Sequence, residues 1–263
     1  MKTVSLLGTG WLGLPLGRAL HADGWRVRAA TTQPGKCDML AKEGFTPHLL
    51  EVGAPPWGGV GEGNPRRSKD PFWDSDTVIV TLPFRRNFGD PFVYVAQMRE
   101  ILRSLLPHQQ LLFTSSTSYY PDCDHEVDED LSFSPIAPRL RALAAAEAAI
   151  MSHTGPTTVL RLGGLYGPDR PVHSFATRGL AKHTPHSRVN LIHRDDVIGI
   201  VMTMMRGNHW GHVWNAVSDF HPTRAALYDM NSDTVAGGKM VSNRKLKIAL
   251  NYHFCYPDPL TLV

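Results

Sequence analysis

Three groups of residues in this chain have types and spacings that could do chemistry. The first is Gly8-Thr9-Gly10-Trp11-Leu12-Gly13, a G-x-G-x-x-G run. Glycine at the first position permits a sharp turn, and at the second it removes the Cβ, so that a diphosphate can approach the main chain. At the third it lets the following helix pack close to a sheet. The N–H groups and partial positive charge at that helix start then favour an anion. The second group is Ser115-Ser116-Thr117-Ser118-Tyr119-Tyr120, whose hydroxyls could polarise a substrate oxygen. The third is Arg85-Arg86, whose guanidinium forks suit a carboxylate or phosphate. Read blandly, the second is a Ser/Thr-rich turn and the third a charged loop.

The elements that must position these groups can be read from the apolar pattern. Val4 to Leu7 predicts a strand feeding the glycine turn, Leu14 to Leu20 a helix, and Trp25 to Ala30 a second strand. That order is half of a dinucleotide-binding unit. Past the second strand, where an acidic residue would receive a ribose 2′-hydroxyl, stand Thr31, Thr32 and Lys36, with Arg28 just before. Two hydroxyls and a cation suit a 2′-phosphate, so NADP(H) is favoured over NAD(H). His48 to Val52 predicts a third strand and Thr77 to Pro83 a fourth, buried on both faces. Arg85 and Arg86 follow at its C-terminal end, where open α/β sheets bind ligands. Residues 92–106 and 138–151 predict helices whose apolar and small residues suit a homodimer, and Gln110 to Thr114 a fifth strand that ends in the hydroxyl run. Thr157 to Leu162 is a sixth strand, and Val197 to Met205 a helix for which Asp195 or Asp196 is a natural N-cap. His212 to Val217 looks like one more strand. The fold class expected is α/β, a Rossmann-like doubly wound parallel sheet with a small C-terminal substrate lobe. The sheet domain is placed at 1–164 and the lobe at 165–263, with about 190–217 returning to the sheet.

Composition excludes several classes. A formal net charge of +3 spread over 263 residues gives no footprint for nucleic acid. The basic cluster Arg66-Arg67-Ser68-Lys69 reads best as a solvated loop. No apolar run approaches the roughly 18 residues that span a bilayer, and glycines, Pro15 and Arg18 break up the N-terminal apolar stretch that a secretory leader would need. Cys37, Cys123 and Cys255 are odd in number and far apart, which suggests neither disulfides nor a zinc set and points to a reducing, cytoplasmic compartment. His183/His186 and His209/His212 have metal-like spacings but lack neighbouring ligands, so no metal is expected.

Taken in order, Gly8 to Leu16, Thr81-Leu82-Pro83 with Arg85-Arg86, Phe113 to Ser118, Arg161 to Pro168, Asn190 to His193 and Tyr256 to Leu260 resemble the atypical and extended short-chain dehydrogenase/reductases. Within that NAD-dependent epimerase/dehydratase-like group the similarity is to the YeeZ-type subgroup, and it spans nearly the whole chain. The resemblance implies an NAD(P)-binding domain in which Leu82, Pro83 and Thr114 join the glycine loop around the cofactor. It also implies a small-molecule substrate, and a catalytic serine that maps onto Ser116. In active relatives a YxxxK helix supplies a tyrosine and a lysine. Here those positions carry Arg139 and Leu143. Leucine cannot depress a phenol pKa, and arginine is a poor proton donor.

A substitute donor is then required, and Tyr120 is the expectation, ahead of Tyr119, Tyr166 and His193. Arg85, Arg86, Arg139, Tyr166 and His193 are expected to contact substrate. The function expected is an NADP(H)-dependent oxidoreductase or epimerase-like enzyme acting on a small polar molecule. The alternative is a non-catalytic NADP-binding regulator or redox sensor. The stretch from about Met230 to Gly237 is short relative to the subgroup, so a helix and strand of the substrate lobe are expected to be trimmed there.

Overall fold

A computed structural model describes residues 2–53, 70–84, 89–173, 185–228 and 237–261. Val4, Leu6 and Leu7 of β1 (Thr3–Leu7) are buried, as is every residue of β4 (Thr77–Val80). Such short apolar runs have nowhere to go but the middle of a sheet. β1 pairs in parallel with β4 on one side and with β2 (Arg26–Thr31) on the other. β3 (Thr46–Leu49) continues the sheet beyond β2 and β5 (Gln110–Ser116) beyond β4. With β7 (Thr157–Leu162) and β10 (Val213–Ala216) this makes one seven-stranded sheet, ordered β10-β7-β5-β4-β1-β2-β3. The order reverses between β1 and β4, the topological switch point at which open parallel sheets hold ligands. The third strand lies earlier than its apolar run suggests, at 46–49 rather than 48–52. Main-chain pairing of Thr46 to Leu49 with Arg28 to Thr31 sets its register.

The chain divides into two compact units. The first comprises Met1–Thr114, Ile136–Val159 and Trp210–His212. Here α1 (Gly13–Ala22) buries Leu16 and Leu20, and Gly17 leaves room for the Phe45 ring and Leu6. α2 (Cys37–Lys42) leads into β3. α3 (Val93–Ser104) buries Tyr94, Val95, Met98 and Ile101 and packs against α4 (Pro138–Met151), which buries Ala142, Leu143, Ala146 and Ile150 at helical spacing. Leu143 is thus a core residue, at 1% exposure.

The second unit comprises Ser115–Pro135, Leu160–His209 and Val213–Val263. In it β6 (Glu126–Val127) pairs with β11 (Met240–Val241), and β8 (Gly164–Tyr166) with β9 (Leu191–His193). Two apolar clusters underlie these ribbons. Tyr120, Val127, Val217 and Val241 form one, and Tyr166, Val172, Val189, Leu191 and Leu227 the other. α5 (Arg194–Gly207) and α6 (Arg244–Leu250) complete the unit. α5 is capped by His193 rather than by either aspartate: the His193 ring Nδ1 accepts a hydrogen bond from Asp195 N at 3.2 Å. Among the described residues no helix is long and apolar enough to cross a membrane.

Candidate functional site

In the first unit the loop between β1 and α1 is fixed by its own polar contacts. Gly8 has φ +110°, a conformation that L side chains rarely adopt. Its carbonyl accepts from the Thr81 hydroxyl at 2.7 Å, which ties the end of β1 to the end of β4. Thr9 donates its hydroxyl to Ala30 O at 2.8 Å and so ties the loop to the end of β2. A Cβ on Gly13 would run into the Gly8 carbonyl oxygen, so glycine there is what lets the helix start against the strand end. Gly10 differs. A Cβ there would meet no atom of the described residues within 4 Å, and its φ is not positive. Nothing among the described residues requires glycine at that position, so the open volume is the observation that fits a bound diphosphate.

α1 also opens without a side-chain cap and without an acidic residue in its first turn. Its N-terminal dipole is left for an anion. The exit of β2 adds Thr31, whose hydroxyl accepts from Gln33 N at 3.1 Å, then exposed Thr32 and half-buried Lys36 in the short turn Pro34–Lys36. Leu82 and Pro83 follow β4, and the Leu82 carbonyl accepts from the Tyr94 hydroxyl at 2.8 Å. Burial raises the Tyr94 phenol, and the charge of α4's Glu147 adds to it, so it stays protonated and serves as a prop. Thr114 donates to Val80 O at 3.2 Å. Arg139 lies over the Phe84 ring, its Cζ 4.7 Å from the centroid, beside the chain that leaves β4. Arg85 and Arg86 lie outside the described residues.

In the second unit the hydroxyl run forms a tight turn. Ser116 caps it, its Oγ accepting from Ser118 N at 3.1 Å. Tyr120 does not present its hydroxyl to solvent, since the residue is 1% exposed. The hydroxyl donates to Asn215 Oδ1 and accepts from Arg161 Nη1, each at 2.8 Å. Asn215 Nδ2 in turn donates to Ser242 O, which fixes which way its amide points. Burial pushes the Tyr120 phenol up to about 12, with Arg161 and the two hydrogen bonds pulling the other way. Glu129 accepts from Asn215 N at 2.6 Å, and burial raises its carboxyl. The geometry is that of a buried post under the turn, not of a proton donor.

Tyr166 and His193 come together on paired strands, with ring centroids 5.1 Å apart at 72°. His193 also stacks on Tyr256, centroids 3.6 Å apart at 28°. Both residues are more than nine-tenths buried. Burial lowers His193, with Asp195 and Asp196 opposing, and pushes Tyr166 up to about 12.

Three partners here are not among the site residues expected from the sequence: Arg161, Asn215 and Lys239. The Lys239 ammonium donates to Tyr120 O at 2.7 Å. For Arg161 the signal was present, a charge in the middle of an otherwise uncharged strand, which is seldom buried without partners. The amide of Asn215 and the lysine of Gly237-Gly238-Lys239 carry no such local signal.

No protein-family profile matches the chain. Protein YeeZ of Escherichia coli strain K12 is 32% identical over 279 aligned positions, which cover 100% of this chain and 99% of that protein. Among solved structures, a Methylobacillus flagellatus protein named as a candidate NAD-dependent epimerase/dehydratase superposes with TM-score 0.73 at 22% identity, over 98% of this chain and 94% of that one. The human epimerase family protein SDR39U1 (isoform 2), solved with NADPH, gives TM-score 0.67 at 17% identity, over 99% and 97%. A short-chain dehydrogenase/reductase superfamily protein of Agrobacterium tumefaciens with bound NAD gives 0.69 at 15%, over 98% and 94%. An end-to-end match at this identity establishes that the chain belongs to the YeeZ family, and its seven-stranded parallel sheet with a glycine turn at the switch point is the fold those solved structures share.

Proposed function

We propose that this chain is an NADP(H)-dependent oxidoreductase or epimerase-like enzyme that acts on a small polar molecule without the usual tyrosine–lysine pair. The open volume at Gly10, beside an uncapped helix start, carries the reading. A diphosphate there would lie along the main chain of the Gly10–Gly13 turn at the start of the helix, and no side chain of the described residues comes within 4 Å of a Cβ at Gly10. Gly8 and Thr9 shape that loop. Thr31, Thr32 and Lys36 would receive a 2′-phosphate, and Leu82, Pro83 and Thr114 would flank the coenzyme farther along. The coenzyme supplies hydride chemistry when bound. The protein's own part is to hold a carbonyl substrate still and dry and to manage a proton. Ser116 is the candidate to orient the substrate oxygen. Arg85, Arg86 and Arg139 are candidates for an acidic group on the substrate. Tyr166 and His193 are candidate substrate contacts within the second unit, where Tyr120 holds the Ser116 turn in place. A second copy of the chain is the candidate partner, through the outward faces of α3 and α4.

The competing reading is an NADP-binding regulator. One observation favours it: Leu143 is core and the Tyr120 hydroxyl is fully engaged, so neither family position nor its nearest sequence substitute offers a proton. Titration of intrinsic tryptophan fluorescence tests the shared premise, with NADPH expected to bind at least about tenfold more tightly than NADH. Lys36→Glu is expected to reverse the order. Tighter NADH binding by the wild type would overturn the 2′-phosphate assignment, and binding of neither coenzyme would overturn both readings.

A further inference from the structure

We propose that Thr81 is a positioning residue for the coenzyme's diphosphate: its hydroxyl holds the Gly8 peptide in the orientation from which the glycine loop receives that group. The inference rests on the coenzyme reading above and adds a residue to it.

Thr81 follows β4 directly, and both it and the glycine loop belong to the first unit. Its main chain extends the pairing of β4 with β1, since Thr81 N donates to Leu7 O at 2.9 Å. The side chain reaches one residue further. Its Oγ1 lies 2.7 Å from Gly8 O and 3.3 Å from Leu7 O. A hydroxyl has one hydrogen to give, and the shorter contact is the one to Gly8. Gly8 has already left the strand, with φ +110°, and the register of β1 ends at Leu7. A side chain rather than the sheet ladder therefore satisfies its carbonyl. The same hydroxyl oxygen is fitted to two of the motif's glycines. A Cβ on Gly8 would come within 2.7 Å of Thr81 Oγ1 and one on Gly13 within 3.1 Å, both tighter than ordinary contact. The first and third glycines thus also make room for a hydroxyl from the end of another strand.

The consequence for a diphosphate follows from peptide geometry. In a trans peptide the carbonyl and the next N–H point in opposite directions, so aiming Gly8 O at Thr81 also sets the direction of the Thr9 N–H. Thr9 is tied in turn to Ala30 O through its hydroxyl, and Gly10 O accepts from Leu14 N at 3.0 Å as α1 opens. The loop is pinned at three successive residues, and the pin at Gly8 is the one that Thr81 supplies. Main-chain N–H groups bind an anion best when they are held in place before it arrives. Without the Thr81 hydroxyl that ordering falls to the coenzyme, which then binds more weakly.

Isothermal titration calorimetry on the full chain tests this with two variants and two ligands. Thr81→Val nearly keeps the shape and removes the donor, whereas Thr81→Ser keeps the donor and removes a methyl. NADPH is expected to bind Thr81→Val at least about tenfold more weakly than the wild type, the worth of about one hydrogen bond, and to bind Thr81→Ser within about threefold of the wild type. The second ligand is 2′-AMP, which carries the 2′-phosphate and no diphosphate. Its affinity for Thr81→Val is expected to stay within about twofold of the wild type. A general loosening of the sheet would weaken both ligands alike, and that result overturns the proposal. So does wild-type NADPH affinity in the valine variant, or a serine variant as weak as the valine one. Should Thr81→Val fail to fold, Thr81→Ala takes its place with the same expectations. If the wild type binds NADPH but not 2′-AMP, the serine comparison alone decides. A folded wild type that binds no NADPH overturns the coenzyme reading itself, and this inference with it.

Discussion

Gly10 and Gly13 are the same residue type three positions apart in one motif, yet their reasons for being glycine differ. At Gly13 the reason is inside the protein, because a methyl would be driven into the Gly8 carbonyl. Gly13→Ala should therefore cost about 1–3 kcal/mol of stability, as overpacking at a rigid contact does. At Gly10 the described residues offer no obstacle, so Gly10→Val should leave the urea midpoint nearly unchanged while weakening NADPH binding at least about tenfold, the side chain taking the volume a diphosphate needs. If Gly10→Val binds NADPH like the wild type, the coenzyme does not cross this loop. The motif itself was plain in the sequence, since three glycines at fixed spacing after an apolar run need no tertiary information. Tyr120 shows the opposite case. Its type suggested acid–base chemistry, but Arg161 and Asn215, 41 and 95 residues away, engage its hydroxyl. No local pattern could have announced partners that distant.

At the scale of an element, α5 shows how a sequence signal can be right about charge and wrong about its use. Asp195 and Asp196 do stand in the first turn, where the helix dipole favours them. The cap, however, is His193, and Asp196 is turned inward at 0% exposure. It accepts from Cys255 N at 2.8 Å, Tyr256 N at 3.0 Å and the Tyr252 hydroxyl at 3.1 Å. Gly199, one turn further along, has no side chain and leaves space for the Tyr252 hydroxyl. The helix start therefore clasps the segment 252–256, and stacking of Tyr256 on His193 closes it from the other side. Asp196→Asn places an amide where three donors expect oxygens. It should cost about 2 kcal/mol and speed proteolytic cleavage within 252–261, with cleavage elsewhere unchanged. If the tail of the variant is cleaved no faster than that of the wild type, the carboxylate is not what holds it. Such a clasp is illegible in sequence because its donors are mostly main-chain groups, which every residue carries.

For the whole molecule, the parallel sheet was legible because its strands are short apolar runs separated by helical periodicities, and that alternation admits few topologies. What the runs did not reveal was register, as the position of β3 shows, nor which polar residues are buried. Those buried groups give the stability of the protein its pH dependence. His221 is the clearest: burial, reinforced by Arg188 and opposed by Glu126 and Asp219, pushes its ring down to about 4. Its Nδ1 is buried without a hydrogen-bond partner among the described residues. Above its ordinary value of 6.5 the ring is neutral whether the chain is folded or not. Between 6.5 and about 4 the unfolded chain takes up a proton that the folded chain refuses, so stability falls as pH falls, by up to about 3 kcal/mol once pH is below 4. His193, also lowered by burial, acts in the same sense, whereas Asp196 and Glu129, whose carboxyls burial raises, bind protons better when folded and act against it. The net slope is thus a difference, and one substitution isolates a single contribution. Urea unfolding of the wild type and of His221→Gln, measured from pH 7.5 to 4, should show no change in their difference above pH 6.5 and the variant gaining on the wild type by about 1.4 kcal/mol per pH unit between 6.5 and about 4. Parallel curves would mean that the folded protein accepts the proton at His221 as readily as the unfolded chain does.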